Sequence, residues 1–288
     1  MSDASFTLAA PAKINLFLHI TGRRADGYHN LQSLMCFTAA GDSLEFSDAP
    51  TLQITVHGEF SALLENNSTN LVYKAALLLA EEFNQTPRGK ILLHKNLPIA
   101  AGIGGGSADA AAALIGLNKL WGINCDIAKL KTLALKLGAD VPACVEKRTL
   151  FAAGIGEEIT VLNSAPALHI VLVNPLEQTK TAEVFKNFNG TPYSAEIELK
   201  AQVSDAEFIK LITSGRNDLT AAAIKTTPVI NDALAALNST RNHIICRLSG
   251  SGATCFALYN NEADAIAAAR KISALHPEWW VVKTHLLK

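Results

Sequence analysis

Between residues 98 and 114 the chain reads PIAAGIGGGSADAAAAL, with four glycines in the five positions 102–106 and then a run of alanine ending in leucine. No other stretch restricts the fold so tightly. The glycines accept backbone conformations that other residues avoid, and the alanines after them are the strongest helix formers. The first four N–H groups of a helix have no partner within it, and the helix dipole makes that end partly positive. Pliable backbone leading into such an end lets a bulky anion reach the bare amides. The stretch therefore predicts a phosphate-binding loop, from Pro98, Ile99, Ala100, Ala101, Gly102, Ile103, Gly104, Gly105 and Gly106 to Ser107 and Ala108, opening a helix from about Ser107 to Trp121. The Ser107 hydroxyl is placed to bond phosphate or Mg²⁺. The competing reading is a tight glycine turn with Ser107 as N-cap.

The loop is not a Walker A motif, because no Gly-Lys-Ser/Thr follows and no lysine lies between Pro98 and Asn118. It is a poor dinucleotide fingerprint as well. Ser107 stands where the third glycine belongs, and no acidic residue ends a strand about twenty positions on.

Other segments carry clear periodicity. Ile14, Leu16, Leu18 and Ile20 alternate as a half-buried strand, and turn chemistry follows around Gly22 and Asp26-Gly27. LQITVH and KILLHKNL read as strands. NLVYKAALLLAEEFN reads as a helix capped by Asn70, and DIAKLKTLALKLG as a helix ending at Gly138. After residue 160 the chain changes character: LHIVLVNP is a buried strand, and helices alternate with the strands IICRLSGSG and ATCFALYN. These patterns predict a two-domain α+β protein divided into 1–160 and 161–288.

The 288 residues are 49% hydrophobic and 18% charged, which is a core-forming composition rather than a disordered one. With 25 basic and 26 acidic residues there is no electrostatic footprint for nucleic acid or an anionic membrane. Mean hydropathy is +0.20, yet no run approaches the roughly 18 apolar residues of a spanning helix. Lys13 and Asn15 interrupt the N-terminal apolar stretch, which lacks a basic start and so does not read as a signal peptide. Cys36, Cys125, Cys144, Cys246 and Cys255 are scattered, form no CxxC and have no histidine at metal spacing. They read as reduced thiols of a cytoplasmic protein, and a zinc site is not expected.

Three stretches in order, PAKINLFLHITGRRADGYHNLQS (11–33), LPIAAGIGGGSADAAAAL (97–114) and LSGSGATCFALY (248–259), resemble the GHMP kinase superfamily, whose middle motif is P-x-x-x-G-L-G-S/G-S/G-S. Within it, the first stretch and LGADVP (137–142) resemble the branch that phosphorylates the 2-hydroxyl of a cytidine-diphosphate derivative of methylerythritol in the non-mevalonate route to isoprenoids. The resemblance implies an N-terminal domain like the second domain of ribosomal protein S5 and a smaller α/β C-terminal domain. It implies ATP as co-substrate, Mg²⁺, and a small-molecule partner. A monomer or weak homodimer is expected. Ala101 departs from a common glycine, Ala108 from a second serine and Asp109 from a common asparagine, so Ser107 is the loop hydroxyl left for Mg²⁺.

The resemblance also implies a catalytic pair, Lys13 and Asp140. Asp140 would accept the proton of the attacking hydroxyl, with the Lys13 charge lowering that hydroxyl's pKa. Read alone, Asp140 suits a helix-ending turn before Pro142, and Lys13 suits a strand-edge lysine reaching solvent. Asn15 shares a strand face with Lys13 and is a candidate substrate contact, the alternative being a side chain that merely satisfies backbone. Tyr28 and His29 suit a pyrimidine, one stacking and the other reading the base edge. The resemblance assigns them cytosine, with Phe185 closing the second face. For Phe185 the alternative is ordinary helix packing. Gly250 and Gly252 mark a third glycine motif, or a plain turn between strands. Two further readings remain: another GHMP small-molecule kinase of homoserine or mevalonate type, which has no need of a pyrimidine clamp, and a non-catalytic nucleotide-binding regulator on the same fold.

Overall fold

A computed structural model of the chain describes residues 5–64, 69–163, 165–190, 192–198 and 200–288. The chain forms two compact units, one of Met1–Ala12, Gly41–Ile99 and Gly104–Lys147, the other of Lys13–Ala40, Ala100–Ile103 and Arg148–Lys288. The division expected at residue 160 follows chain order. The compact units interleave instead, because the two longest strands, β1 (Phe6–Arg23) and β2 (His29–Ser47), each run through both.

In the first unit β3 (Leu52–His57), α1 (Leu71–Glu82), β4 (Gly89–His94), α2 (Gly105–Leu120), α3 (Ile127–Leu137) and α4 (Val141–Glu146) follow in order. Strand β4 runs parallel to β3 and antiparallel to residues 43–47 of β2. Asn70 caps α1, its Oδ1 accepting the Val72 N–H at 2.9 Å. The helix buries Val72, Ala75, Ala76 and Leu79, one face at i, i+3, i+4, i+7 spacing. Helix α2 is buried from Ala108 to Leu114, so its alanines serve close packing on every side. Gly116 shows how close: an added Cβ would lie 2.2 Å from Cζ of Phe46.

Helix α2 begins two residues earlier than the sequence suggested. Gly104 is its N-cap with φ +64°, no side chain caps it, and Ser107 is its third residue. The left-handed turn at Gly104 starts the helix, and the alanine run carries it back over Gly105 and Gly106. Ser107 as N-cap is thereby corrected.

In the second unit β5 (Leu150–Ala153) pairs antiparallel with residues 33–35 of β2 and with β6 (Glu158–Val161). There follow β7 (His169–Asn174), α5 (Thr181–Asn187), α6 (Asp205–Ser214), α7 (Thr220–Thr226), α8 (Val229–Asn238), β8 (His243–Leu248), β9 (Cys255–Tyr259), α9 (Glu262–Leu275) and β10 (Trp280–His285). The last four strands form an antiparallel sheet in the order β10-β7-β9-β8. Its core joins Val171, Val173, Ala257 and Tyr259 to Ile230, Leu237 and Ile272 of α8 and α9, and to Leu18 and Ile20 of β1. The strand carrying Lys13 and Asn15 is thus anchored at its far end in a packed core.

Candidate active site

In the second unit Lys13 and Asn15 lie side by side on β1, only 3% and 1% exposed. The Lys13 ammonium donates to Asn15 Oδ1 at 2.9 Å. The Asn15 amide donates to Ser33 Oγ at 2.7 Å, and Ser33 Oγ donates to the Phe17 carbonyl at 2.6 Å. A lysine this deep is costly to bury unless its charge is compensated, so the strand-edge reading fails. The third glycine loop lies directly against this group. The Asn15 N–H donates to Ser249 Oγ at 3.2 Å, and Ser249 Oγ donates to the Gly102 carbonyl at 3.1 Å. The Lys13 N–H donates to the Ile103 carbonyl, and the Thr254 N–H to that of Ala101.

Two glycines are fixed by that approach. At Gly250 (φ +56°) an added Cβ would meet the Gly102 oxygen at 3.0 Å and Asn15 Oδ1 at 3.3 Å. At Gly102 (φ +74°) it would meet the Ser249 and Gly252 oxygens at 2.5 and 2.7 Å. The loop expected to cradle phosphate and the loop at residues 248–252 are therefore two halves of one backbone-to-backbone contact, which tolerates no side chain there. A plain strand-to-strand turn at Gly250 and Gly252 would need no such approach.

In the first unit the N–H groups of Gly105, Gly106 and Ser107 open α2 without a side-chain cap, and Gly106 is exposed. That end is chemically suited to an anion. Directly under Gly105 sits a buried ionic group that no local pattern of residues predicts. Lys95 Nζ donates to Asp42 Oδ2 at 2.5 Å and to Asp109 Oδ2 at 2.8 Å. Asp42 Oδ1 also accepts the N–H groups of Asn96 and Leu97, at 2.6 and 2.8 Å. A Cβ on Gly105 would lie 3.1 Å from Lys95 Nζ. Asp42 thus pins the entry to the glycine loop while Asp109 pins the helix beyond it, with Lys95 joining the two.

One ammonium faces two carboxylates, and Asp109 Oδ1 is buried without a hydrogen-bond partner. Burial pushes the Asp109 carboxyl up; Lys95 counters this only in part and Asp42 adds to it, so its pKa rises from 3.8 to about 7. Burial works against the Lys95 ammonium, yet its two carboxylates outweigh that, and its pKa is raised. The folded chain therefore keeps a proton on Asp109 that the unfolded chain releases near pH 4. This contribution to stability is complete below pH 4 and is lost as the pH climbs toward 7. Asp109→Asn is expected to resist urea better than the parent at pH 8 and to lose that advantage at pH 4. Urea midpoints of both proteins at the two pH values check this; an equal gap at both would show that Asp109 does not titrate between them.

Asp140 occupies the N-cap of α4 with φ −80°, follows Gly138 at the end of α3, and has Pro142 within the first turn after it. Its side chain makes no capping bond, so the carboxylate is not used on α4's own N–H groups. The residue opens a helix rather than ending one.

Among the proposed base-binding residues, Tyr28 is 63% exposed. The ring facing Phe185 belongs to His29, with centroids 5.5 Å apart and planes 29° apart, and Phe188 meets His29 edge-on at 5.7 Å. Burial, and then the Arg23 charge, hold the His29 imidazole below its ordinary value, so it is neutral at pH 7 with one donor and one acceptor. Phe188 went unread in the sequence although it lies three residues beyond Phe185, at helical spacing. Ser33 and Ser249 lie within the motif stretches but had no signal of their own. Among the described residues no group of three or more His, Cys, Asp or Glu is arranged to hold a metal ion, and all five cysteines are free thiols.

The family model of the GHMP kinases N-terminal domain matches residues 70–148, and that of the GHMP kinases C-terminal region matches 202–278. A curated 4-diphosphocytidyl-2-C-methyl-D-erythritol kinase of Paramagnetospirillum magneticum is 47% identical over 284 residues, 98% of this chain and 99% of its own. One of Ehrlichia chaffeensis is 42% identical over 98% of this chain and 99% of its own. A crystal structure of 4-(cytidine 5'-diphospho)-2C-methyl-D-erythritol kinase superposes with a TM-score of 0.80 at 28% identity, covering 98% of this chain and all of that one. A homoserine kinase from Cytophaga hutchinsonii superposes with a TM-score of 0.74 over 99% of this chain and 96% of its own; at 17% identity that likeness concerns the fold alone.

Proposed function

The chain belongs to the GHMP kinase family and is an ATP-dependent small-molecule kinase, and on that premise we propose that it moves the γ-phosphate of ATP to the 2-hydroxyl of 4-diphosphocytidyl-2-C-methyl-D-erythritol. The observation that carries the reading is the match along nearly the whole of both chains to relatives with that name. The homoserine and mevalonate alternatives rest on likeness of fold only. We keep 1–160 as the nucleotide-side domain and 161–288 as the substrate-side domain; the two family segments lie on either side of that boundary. The free thiols support a reducing, cytoplasmic setting.

The residues divide the work as follows. The N–H groups of Gly104–Ser107 receive the phosphates at the uncapped end of α2. Lys13, held by Asn15, supplies a fixed positive charge where negative charge develops on the transferred group. Asp140 takes the proton of the 2-hydroxyl as its oxygen bonds to phosphorus and the bond to the bridging oxygen of ADP breaks. Ser107 and the phosphates themselves fit Mg²⁺, an ion that takes few protein ligands and is commonly held through substrate phosphate. When bound, Mg²⁺ would neutralise phosphate charge. Tyr28, His29 and Phe185 hold the cytosine, with Phe188 backing the His29 ring.

The assay is ADP formation with ATP and each of the three acceptors. Turnover with the cytidine-diphosphate compound and none with homoserine or mevalonate is expected; the reverse would overturn the reading. The base site has a separate test. A base stacked on an aromatic loses about 1–3 kcal/mol on alanine substitution, so Tyr28→Ala and Phe185→Ala should each weaken CDP binding about 5- to 150-fold and leave ATP binding unchanged. Phe185→Ala should cost more, because it also removes the support of His29. Titration calorimetry with CDP and ATP decides; CDP affinity that survives both changes places the base elsewhere.

A further inference from the structure

The segment between α6 and α7, Gly215-Arg216-Asn217-Asp218, runs alongside β1. The Leu18 N–H donates to the Arg216 carbonyl and the Asp218 N–H to the Leu18 carbonyl, both at 2.9 Å. Asp218 Oδ2 accepts the Ile20 N–H at 2.8 Å. The segment is therefore fastened to the strand that carries Lys13 and Asn15, a few residues further along.

Asn217 sits between these bonds, 6% exposed, with its amide fully used. Nδ2 donates one hydrogen to the Leu248 carbonyl at 2.9 Å and the other to the Gly250 carbonyl at 2.8 Å. Oδ1 accepts the Leu219 N–H at 2.9 Å, closing the turn into α7. The two carbonyls flank Ser249, whose hydroxyl receives the Asn15 N–H and donates to Gly102. Gly250 in turn lies so near both that an added Cβ would meet the Gly102 oxygen at 3.0 Å and Asn15 Oδ1 at 3.3 Å. One planar amide thus spans from β1 to the third glycine loop, and that loop touches both the lysine-bearing strand and the first glycine loop.

We propose that Asn217 is a positioning residue for phosphoryl transfer: its amide fixes the loop of residues 248–250, and through Ser249 it sets where Asn15 and Lys13 stand relative to Gly102. The inference rests on reading Lys13 and Asn15 as part of the reaction site. Only an amide serves here. A carboxylate of the same shape would still accept the Leu219 N–H but would face the Leu248 and Gly250 carbonyls with no hydrogen to offer. The loop would retreat from Asn15 while the entry into α7 stayed closed. Displacements on the order of 1 Å at a reacting site cost about 100-fold in rate.

The test is a double-mutant cycle of Asn217→Asp and Ser249→Ala, read as kcat and as melting temperature, with Lys13→Met beside it. Asn217→Asp is expected to lower kcat about 10- to 100-fold, and the double variant to lose no more than the worse single change. Losses that multiply, or a kcat within twofold of the parent, overturn the proposal. If Asn217→Asp fails to fold, Ser249→Ala alone must lower kcat at least tenfold at an unchanged melting temperature, and a smaller loss overturns it. Full activity in Lys13→Met would sink the reading of the site itself, which separates that failure from this one.

Discussion

Replacement of Lys13 by methionine is expected to lower kcat about 10²- to 10³-fold while leaving the protein folded. Two costs of opposite sign bear on stability. Asn15 Oδ1 loses its donor, which costs about 1–3 kcal/mol for a buried acceptor. The interior also sheds the desolvation cost of an ammonium that is only 3% exposed, which opposes that loss. The net change in melting temperature should stay within about 5 °C. A residue kept for structure would show the opposite pattern, with a lower melting temperature and near-normal turnover. Lys13→Arg should restore only part of the rate, because a planar guanidinium does not replace the compact ammonium that donates to Asn15 Oδ1. Circular dichroism and steady-state rates on the two variants decide the matter. Normal kcat in Lys13→Met would make the lysine a buried structural residue and remove it from the reaction.

How far the molecule could be read from its residues depends on the range of the physics involved. Alternation from Ile14 to Ile20 located part of β1, and the face of Val72, Ala75, Ala76 and Leu79 located α1, because both patterns are complete within a dozen residues. Strand β2 carries no such local signal. Its Gly41 reads locally as a break, yet the glycine is there because Ala10 and Pro11 of β1 come so near that an added Cβ would lie 2.5 Å from the Ala10 oxygen. Strands β5, β6 and β10 are short or mixed in pattern, and only their partners make them strands. The glycine loops were legible because each answers to its own backbone: φ +74° at Gly102, +64° at Gly104 and +56° at Gly250 lie in the left-handed region that favours glycine. The groups that lock those loops were not legible. Asp42 and Lys95 stand 53 residues apart, and Asn217 reaches carbonyls 31 and 33 residues away. No periodicity links such positions. His29 and Phe185 form an intermediate case: their chemistry suggested an aromatic site, but only the fold put Phe188 at the edge of His29.

Asp140→Asn is expected to remove more activity than any other single change, about 10²- to 10⁴-fold in kcat, with nucleotide affinity nearly intact. Asparagine keeps the shape of the side chain and loses the capacity to hold a transferred proton at neutral pH. Asp140 opens α4 without capping it, and its backbone carbonyl, which accepts the Cys144 N–H at 3.2 Å, is untouched by the substitution. Asparagine is also at least as good an N-cap residue as aspartate, so α4 should start where it does now. Loss of kcat at an unchanged melting temperature is then assigned to the carboxylate itself. On the proposed reading phosphate contact falls to the amides that open α2, so affinity for ATP should change by less than about threefold, while a variant that disturbs that loop, Gly105→Val, should show the reverse pattern. Gly105 has the physical reason for that reversal beneath it, since an added Cβ would press on Lys95 Nζ at 3.1 Å. Single-turnover rates with saturating ATP and acceptor measure the chemical step in Asp140→Asn, and calorimetry with a non-hydrolysable ATP analogue measures binding in both variants. A chemical step within a few-fold of the parent would take proton acceptance away from Asp140 and return it to the role of a residue that merely joins α3 to α4.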